Sequence, residues 1–361
     1  MKILLDCRFY GLENGGLGRY TINLLNNLSS IDKNNEYTVL LRKKYFEELS
    51  FPKNFKKILV DLKPYSFLEQ ITIPFIIFKE KPDLSHFLHF NAPLLTPKPY
   101  VVTIHDMIMH KSKGLETTTL NPIYYLIKRF VYKFVFKNAL INSNKIIVPS
   151  ETVKDELNDF FKLDLEKIKV SYLGLDYKIL KPNLQSITKK YFVYVGNAYP
   201  HKNLTKLIDA IGLSKVTLKI STSKNSFSKN LINIIKEKKL EKYVKVLGFL
   251  DDLEIVKLYQ DSVGFIYPSL IEGFGFQGLE ALSSGTLLLA SNIPVFKEVY
   301  KNNAIYFDPN SSDSIANAIN EALKINSLKR LQMIQDGQKF ILKYSWEKTT
   351  LETIKIYESI R

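Results

Sequence analysis

Glu272-Gly-Phe-Gly-Phe-Gln-Gly-Leu-Glu280 is the most informative stretch of this chain. It follows an apolar run ending at Pro268-Ser269 and leads into a helix-like segment, after which Gly285 predicts a helix end. A strand, a glycine-bearing turn and a helix N-terminus together form an anion site, because the backbone can approach closely and the helix dipole faces negative charge. A phosphate-binding turn does not need carboxylates of its own. The two that flank this turn therefore indicate contacts to hydroxyl groups. The combination suggests a nucleotide-sugar site.

These nine residues resemble the E-x7-E signature of the retaining glycosyltransferases of family 4, which have the GT-B fold. The resemblance extends over 248–299 and includes Pro294 and Glu298. Where the signature normally has proline this chain has Gln277, at a helix start where proline is favoured but dispensable. The alternative, a glycine turn with two solvated glutamates, does not account for a match of this length.

Composition and charge set wider bounds. A chain of 361 residues is long enough for two domains, each with its own core. The formal charge of +15 is spread over both halves and is accompanied by no helix-turn-helix, zinc-finger or aromatic RNA-binding signature. We therefore expect no nucleic-acid partner. Anionic lipid surfaces and polyphosphate substrates explain the charge equally well.

The expected location follows from cysteine content and hydropathy. Cys7 is the only cysteine, which excludes a disulfide within the chain and is consistent with a reducing cytoplasm. The N-terminal apolar run is too short for a signal peptide, and Ile71–Phe78 falls well short of the roughly 20 residues of a spanning helix. We expect a cytoplasmic protein, with peripheral contact at the inner face of the membrane left open.

Strand-like apolar runs alternate with helical segments, which predicts α/β architecture with parallel sheets. The predicted strands of the first half are 3–6, 37–41, 58–62, 84–88, 100–105, 145–149 and 168–173, with helices near 19–29, 67–79, 121–143 and 151–161. Those of the second half are 191–195, 216–220, 244–247, 265–267, 287–290 and 304–307. The polar, proline-bearing segment Lys181–Ser186 is predicted to be a linker.

Two Rossmann-like domains facing across a cleft, the GT-B arrangement, is thus the predicted architecture. Residues 1–182 would form the acceptor-side domain and residues 183–344 the nucleotide-sugar-binding domain. The end of the chain is helical in pattern, and the resemblance implies that residues 345–361 cross back to the N-terminal domain.

A glycine motif follows the first predicted strand, within "DCRFYGLENGGLGRY". Alone it indicates only a turn. The whole segment nevertheless resembles the opening of bacterial mannosyl- and related transferases of family 4. That resemblance implies that the amide of Gly16 approaches the donor phosphate, with Gly15 and Arg19 on the acceptor side of the cleft. Packing or capping of the next helix remains the other role for Arg19.

Lys202 lies just past a strand end, in "YFVYVGNAYPHKNL", where its ammonium can neutralise a diphosphate. The family carries a basic residue here that grips the donor pyrophosphate. Many members also have an arginine soon after the glycine, where this chain has Asn197, so the diphosphate would be balanced by fewer charges. His201 is a possible contributor or an ordinary turn residue.

His105 ends the strand-like run "VVTIHD" and resembles the histidine of the family's "HD" motif. In the family that histidine contacts the hydroxyls of the transferred sugar. A buried, hydrogen-bonded core histidine is the structural alternative. Asp106 is assigned either a polar contact on the acceptor side or a local hydrogen bond.

The predicted chemistry follows from an oxocarbenium-like state with negative charge growing on the departing phosphate. Lys202, the amides near Gly275 and Phe276 and the helix start at Gln277 would stabilise that charge. The resemblance implies that Glu272 holds the sugar hydroxyls, that Glu280 binds the ribose, and that transfer retains configuration. No DxD-type carboxylate pair stands at the phosphate position, so neither a metal nor a cofactor is expected.

The acceptor is less defined. Residues 111–145 combine Lys and Arg with aromatic residues, which fits either an interfacial membrane helix or a packed helix with its lysines extended to solvent. The first alternative implies a lipid-linked glycan or lipopolysaccharide acceptor in cell-surface polysaccharide synthesis. GDP-mannose is slightly favoured over UDP-sugars as donor. Two other functions stay open, a GT-B nucleotide-sugar epimerase or phosphorylase and a non-enzymatic binder of anionic surfaces or nucleic acid.

Overall fold

The computed structural model describes residues 1–111, 121–175 and 191–360. These residues divide into two compact units. The first contains residues 1–107, 121–174 and 345–360, and the second contains residues 108–111, 175 and 191–344. The predicted linker Lys181–Ser186 and the predicted boundary at residue 182 lie outside the described residues.

The first unit is built on a seven-stranded sheet of order β3-β2-β1-β4-β5-β6-β7 in which every pairing is parallel. Its strands are β1 (Lys2–Asp6), β2 (Glu36–Leu41), β3 (Phe55–Leu59), β4 (Leu84–Phe87), β5 (Tyr100–Thr103), β6 (Lys145–Val148) and β7 (Ile168–Val170). Its helices are α1 (Gly15–Ile31), α2 (Lys43–Glu48), α3 (Glu69–Glu80), α5 (Pro122–Asn142), α6 (Glu151–Phe161) and α14 (Trp346–Glu358); the short α4 (Ile108–Lys111) belongs to the second unit.

Helices cover both faces of this sheet. On one face Phe87 of β4 joins a buried apolar cluster that includes Ile73 of α3 and Phe136 of α5. Side chains of successive strand residues point to opposite faces, so the neighbouring His86 faces the other side. There its Nδ1 lies 2.7 Å from the hydroxyl of Tyr357 in α14. The last helix is therefore part of the core of the first unit.

The second unit contains a six-stranded parallel sheet of order β10-β9-β8-β11-β12-β13. Its strands are β8 (Phe192–Val195), β9 (Leu218–Ser221), β10 (Val244–Gly248), β11 (Gly264–Tyr267), β12 (Leu287–Ser291) and β13 (Ile305–Phe307). Its longer helices are α7 (Leu204–Ser214), α8 (Ser226–Glu237), α9 (Asp252–Gln260), α10 (Phe276–Ser283), α11 (Pro294–Tyr300), α12 (Ser312–Lys324) and α13 (Ser327–Ile341).

The predicted α/β class with two Rossmann-like domains is confirmed, and each predicted strand has a counterpart. The largest displacement is in β3, which begins three residues before its predicted position. As an edge strand it pairs only with β2, from Tyr37 with Phe55 to Leu41 with Leu59. The rings of Tyr37 and Phe55 stack at 4.5 Å, and this cross-strand contact fixes the register that the apolar pattern alone does not.

The glycine motif near residue 15 forms the first turn of a helix and not a separate turn, because α1 begins at Gly15, four residues before its predicted start. Gly18 explains the close packing. A Cβ placed there would lie 1.8 Å from the carbonyl oxygen of Gly11. The chain thus returns against its own helix, and only glycine fits at that contact.

Candidate active site

The second unit places its candidate residues where the strand order reverses. β8 lies at the centre of the sheet, with β9 on one side and β11 on the other. In open parallel sheets the crevice at the carboxyl ends of such neighbouring strands is the usual ligand site. The segment after β8 carries Asn197 and Lys202, and the segment after β11 carries Glu272. Two loops that are distant in sequence are thereby brought to one edge.

Lys202 and Glu272 form an ion pair at this edge, with 2.5 Å between Nζ and Oε1. The side chains are only 12% and 8% exposed, respectively. A pair removed from water to this extent interacts more strongly than a surface pair and holds both groups in fixed positions. The structure thus brings Lys202, which is predicted to bind the diphosphate, into direct contact with Glu272, which is predicted to bind the sugar.

Backbone and amide contacts join the two loops. The amide of Leu270 donates to the carbonyl of His201 at 2.8 Å. Asn203, in left-handed conformation with φ 58°, donates from Nδ2 to the carbonyls of Pro268 and Pro309 at 3.1 and 2.8 Å. These bonds hold Lys202 next to the loop that carries Glu272. Nothing in the local sequence around Asn203 reveals this role, because its partners are far along the chain.

Gly275 is the N-cap of α10 and has φ 95°, which favours glycine. A Cβ at this position would lie 2.3 Å from the hydroxyl of Tyr300 and 2.7 Å from the ring of Phe296. The Tyr300 hydroxyl donates to the Gly275 carbonyl, and a Cβ on Gly278 would meet the same hydroxyl at 2.3 Å. Two glycines of the motif are therefore required by the packing of α11 against the start of α10.

The other residues predicted on α10 lie along its first two turns. Phe276 and Gln277 form the first turn, and the Oε1 atom of Gln277 accepts a 2.6 Å hydrogen bond from the hydroxyl of Tyr267. The glutamine therefore replaces the usual proline with a side chain that is tied to the end of β11. Glu280 is buried, 7% exposed, one turn further on.

Three buried tyrosines surround Glu272. Burial raises the pKa of Tyr194, Tyr267 and Tyr300 well above the ordinary value, and the negative charge of Glu272 raises all three further. These hydroxyls consequently stay protonated, and each donates its hydrogen within the second unit: Tyr194 to the carbonyl of Asn197, Tyr267 to Oε1 of Gln277 and Tyr300 to the carbonyl of Gly275.

Asn197 stands where many members of the family have arginine. Its Oδ1 accepts a 3.2 Å hydrogen bond from Ser223, and its carbonyl accepts one of 2.7 Å from Tyr194. His201 adds no compensating charge, since burial and the neighbouring Lys202 lower its pKa to about 4. Among the residues predicted for the nucleotide-sugar site, Lys202 is consequently the one that carries a positive charge at this edge of the sheet.

In the first unit, the glycines of α1 divide into two kinds. Gly18 is fixed by its contact with Gly11, whereas a Cβ built on Gly15 or Gly16 would meet none of the described atoms within 4 Å beyond its chain neighbours and the backbone of its own helix. Gly15 has φ 60°, which accounts for glycine there. Gly16 has neither constraint, so packing does not explain why it lacks a side chain. Arg19 follows on the next turn, where its carbonyl accepts a hydrogen bond from Asn23.

His105 lies just past the carboxyl end of β5 and is half-buried. Its Nε2 is 2.9 Å from the carbonyl of Leu88, which only accepts, so Nε2 carries the hydrogen and Nδ1 is the acceptor. Burial lowers its pKa to about 4 despite this hydrogen bond. The ring packs edge-on against Tyr20 at 4.7 Å. A neutral imidazole with an acceptor nitrogen is suited to a sugar hydroxyl.

A hydrogen-bonded row supports that histidine. The hydroxyl of Tyr357 contacts Nδ1 of His86, whose Nε2 lies 2.8 Å from Oγ1 of Thr103. That oxygen is 3.3 Å from the hydroxyl of Tyr20. Burial holds the pKa of His86 at about 3, so the row stays neutral. His86 is thus structural, and it links α14 to the residue that packs on His105.

Asp106 follows His105 and lies near two aromatic hydroxyls. Burial chiefly raises the pKa of Tyr65 and of Tyr132, and the charge of Asp106 raises them further. After the carboxyl end of β4, the buried Nδ2 of Asn91 has no hydrogen-bond partner among the described residues. The sequence analysis did not single out this polar atom.

A charged cluster that sequence reasoning did not identify holds the loop between β1 and α1. The guanidinium of Arg8, fully buried, contacts Asp6 at 2.6 Å and Glu69 at 2.8 Å. Although burial opposes its charge, the two carboxylates raise the pKa of Arg8 above its ordinary value. A charged residue directly after a buried strand was the available signal, but its partner on α3 lies 61 residues away.

In residues 1–111, 121–175 and 191–360, no group of three or more His, Cys, Asp or Glu side chains is arranged to hold a metal ion. No helix within these same ranges combines the length and apolar character that crossing a bilayer requires.

Two sequence families match this chain, one in each half. Residues 14–178 match the sequence family described as Glycosyltransferase Family 4, and residues 178–340 match Glycosyl transferases group 1. The two matches meet end to end, and the second includes both Lys202 and the stretch from Glu272 to Glu280.

Two curated relatives are mannosyltransferases. The chain is 28% identical over 236 residues to the O-antigen chain mannosyltransferase RfbU of Salmonella typhimurium, an alignment covering 64% of this chain and less than two thirds, 62%, of that protein. It is 26% identical over 275 residues to the O-antigen chain mannosyltransferase B of Escherichia coli, covering 72% and 70%.

A solved structure supports the fold. The sucrose-phosphate synthase of Thermosynechococcus elongatus superimposes with a TM-score of 0.80 at 17% identity, covering 100% of this chain and 99% of that one. At this identity the likeness concerns the fold alone.

Proposed function

Because this chain belongs to glycosyltransferase family 4, we propose that it is a retaining enzyme that moves a hexose from a nucleoside diphosphate sugar to a glycan or lipid-linked acceptor. The observation that carries the proposal is the buried ion pair of Lys202 with Glu272. It holds a cation for the phosphates beside a carboxylate for the sugar, at the edge of the sheet where ligands of this fold class bind.

The leaving diphosphate would be stabilised from the second unit. As the bond to the anomeric carbon lengthens, negative charge grows on the phosphate oxygen, and a preorganised positive potential lowers the barrier. Lys202 supplies a full charge, and the start of α10 at Gly275 supplies the positive end of a helix dipole. The short side chain of Asn197 donates hydrogen bonds without adding charge.

Glu272 would bind hydroxyls of the donor hexose. Its carboxylate oxygens are acceptors for such hydroxyls. Its negative charge also stabilises the positive anomeric centre in the transition state. Glu280, one turn along α10, would accept hydrogen bonds from the ribose.

The first unit would supply a contact to the sugar and one to the phosphate. Nδ1 of His105 would accept a hydrogen bond from a sugar hydroxyl, because Nε2 already donates to the carbonyl of Leu88. The space around Gly16 lets its backbone amide approach a phosphate oxygen. Gly15, Arg19 and Asp106 are assigned to the acceptor side.

Retention is proposed by departure and attack on one face of the sugar. The mechanism needs no second carboxylate as a nucleophile, and the charge of Lys202 can serve the phosphates without a divalent cation or a cofactor. Metal independence is accordingly part of the proposal.

The donor and pathway are proposed from the relatives. Both curated relatives described above are named as O-antigen mannosyltransferases, which favours GDP-mannose over a UDP-sugar and a cell-surface polysaccharide or lipopolysaccharide acceptor. We extend the proposal to a cytoplasmic location at the inner face of the membrane, where lipid-linked glycans would be accessible. Nucleic acid is not a proposed partner.

The test is transfer from GDP-mannose, and separately from UDP-hexoses, to lipid-linked glycans in the presence of EDTA. Proton NMR of the product gives the configuration at the new glycosidic carbon. We expect an α-linked product from an α-linked donor with full activity in EDTA. A β-linked product would disprove retention, and loss of activity restored by a divalent ion would disprove metal independence.

A further inference from the structure

The solvent-facing sides of α3 and α5 are apolar as well as their buried sides. Ile73 and Ile77 of α3 enter the core, as do Tyr132 and Phe136 of α5. Exposed apolar side chains on and just before α3 are Phe67, Leu68, Ile71, Phe75 and Phe78. Those on α5 are Ile123, Leu126, Ile127, Phe130, Val131 and Phe134. On each helix they recur at intervals of three or four residues and so form a stripe.

The two stripes belong to one surface. Both helices pack on the same apolar cluster of the first unit. The loop after β4 bridges them, since the amide of Leu94 donates to Gln70 of α3 at 2.9 Å and its carbonyl accepts from Asn138 of α5 at 3.4 Å. The adjoining Leu95 is 82% exposed. We name this area, made by α3, Leu94, Leu95 and α5, the α3–α5 surface.

The charges on the α3–α5 surface are mostly positive. α5 contains four cationic residues, Lys128, Arg129, Lys133 and Lys137, and no acidic one. On α3 the acid Glu69 is buried against Arg8, and Glu80 is paired with Lys56 at 2.5 Å. The lysines of α5 thus lie among exposed aromatic rings on a helix that carries no acidic side chain of its own.

We propose that the α3–α5 surface docks the protein onto an anionic lipid bilayer. Exposed apolar patches of this extent mark interaction sites. Apolar stripes interleaved with lysine are the pattern of helices that lie in a membrane interface, where rings enter the acyl boundary and ammonium groups meet lipid phosphates. This inference extends the proposed function. It rests on that function in one respect, because docking to a bilayer is useful to an enzyme whose acceptor is lipid-linked.

A second copy of this chain is a less suitable partner for the same surface. A two-fold interface would bring the surface against itself, so the cations of one α5 would face those of the other. Like charges opposite one another are unfavourable, whereas an anionic bilayer complements them. The charge distribution therefore favours lipid.

The test is cosedimentation with phosphatidylcholine vesicles prepared with and without phosphatidylglycerol. We expect the wild type to bind only the anionic vesicles, with binding that weakens as salt is added. The double variant Phe75→Ser/Phe130→Ser should bind at least about tenfold more weakly, because two exposed rings no longer enter the interface. Lys128→Gln/Lys133→Gln/Lys137→Gln should lose the preference for phosphatidylglycerol.

Phe249→Ser is the matched control, since Phe249 in the second unit is 80% exposed and Phe130 is 74% exposed. It should bind vesicles as the wild type does. Three results would overturn the proposal: no binding of wild type to anionic vesicles, equal losses in the control and the double variant, or a wild-type dimer in sedimentation equilibrium that the double variant abolishes.

Nucleotide binding in solution separates this inference from the proposed function. None of the substituted residues belongs to the candidate active site, so nucleotide-sugar affinity should be the same in all these variants. A protein that binds vesicles but no nucleotide-sugar would contradict the transferase proposal and leave the surface intact. The reverse result would contradict the surface and leave the transferase intact.

Discussion

The Nζ atom of Lys202 lies 2.5 Å from Oε1 of Glu272, across 70 residues of sequence, and both side chains are almost fully buried. The carboxylate thus lies at a position around the ammonium group for which a phosphate oxygen would compete. The two residues should consequently have opposite effects on a bound diphosphate.

We predict that Glu272→Gln binds free nucleoside diphosphate several-fold more tightly than wild type, while its transfer activity collapses. The reason is that the ammonium of Lys202 no longer has a competing carboxylate. Lys202→Gln should weaken the same binding by about tenfold or more, since a charge-assisted contact to phosphate contributes about 1.5–3 kcal/mol. Isothermal titration calorimetry measures both affinities, and a shift in the same direction for the two variants would refute the assignment.

Gly16 and Gly18 provide a matched pair within one turn of α1. Gly18→Ala should destabilise the protein by about 1–3 kcal/mol because its Cβ collides with the carbonyl of Gly11. Gly16→Ala has open space and should leave the melting temperature unchanged or slightly higher. If the Gly16 amide approaches the donor, this second variant should nevertheless lose most transfer activity. Full activity in Gly16→Ala would remove Gly16 from the site.

The buried histidines predict a loss of stability in mild acid. Burial lowers the pKa of His105 to about 4, below its unfolded value of about 6.5. Between these values the unfolded chain binds a proton that the folded protein does not, so stability is fully present above pH 6.5 and falls as the pH drops toward 4. One such histidine contributes a slope of about 1.4 kcal/mol per pH unit.

His105→Asn should remove this contribution to the slope, because its unfolding takes up nearly one proton fewer. Denaturant unfolding between pH 5 and 6 measures the slope. His201→Asn serves as the comparison in the second unit, since the pKa of His201 is also lowered to about 4. Near pH 7 both imidazoles are neutral, and transfer activity should not follow a titration of His105. An activity profile with a midpoint near pH 6.5 that disappears in His105→Asn would contradict a purely neutral role.

Arg8→Met should destabilise the first unit strongly. It leaves the buried carboxylates of Asp6 and Glu69 without their partner, and breaking a buried charge network costs about 3–5 kcal/mol. The exposed pair of Lys169 with Glu166 is the control, because Lys169→Met removes a contact that solvent screens and should cost far less stability. Urea unfolding compares the two variants. Equal losses would show that the Arg8 cluster is no stronger than a surface pair.

The extent to which sequence predicted this protein differs between the fold and the site. Apolar runs marked the strands because a parallel strand buried on both faces has few polar residues, as β12 shows with Leu287–Ser291 fully buried. The edge strand β3 was placed three residues late, since half of its environment is solvent and its limits come from pairing with β2.

Within the site, the residues carried by a recognisable pattern were found, while those that act through distant contacts were missed. Glu272 and Lys202 were singled out by family resemblance, but their direct ion pair was not foreseen. Asn203 and Tyr300 have no local signature, and the position of Arg8 after a buried strand does not reveal its partner Glu69. Each of them contacts residues that the fold alone brings near, such as Pro309 for Asn203 and Gly275 for Tyr300.

The measurement that tests the central claim most directly is a thermal-shift series with UDP, GDP, ADP and their hexose conjugates on wild type and Lys202→Gln. A ligand present at one hundred times its dissociation constant stabilises the folded protein by about 2.7 kcal/mol, which raises the melting temperature measurably. We predict that one nucleotide class, GDP first, stabilises wild type and has little effect on the variant. No stabilisation of wild type by any of these nucleotides would contradict a nucleotide-sugar site at Lys202 and Glu272.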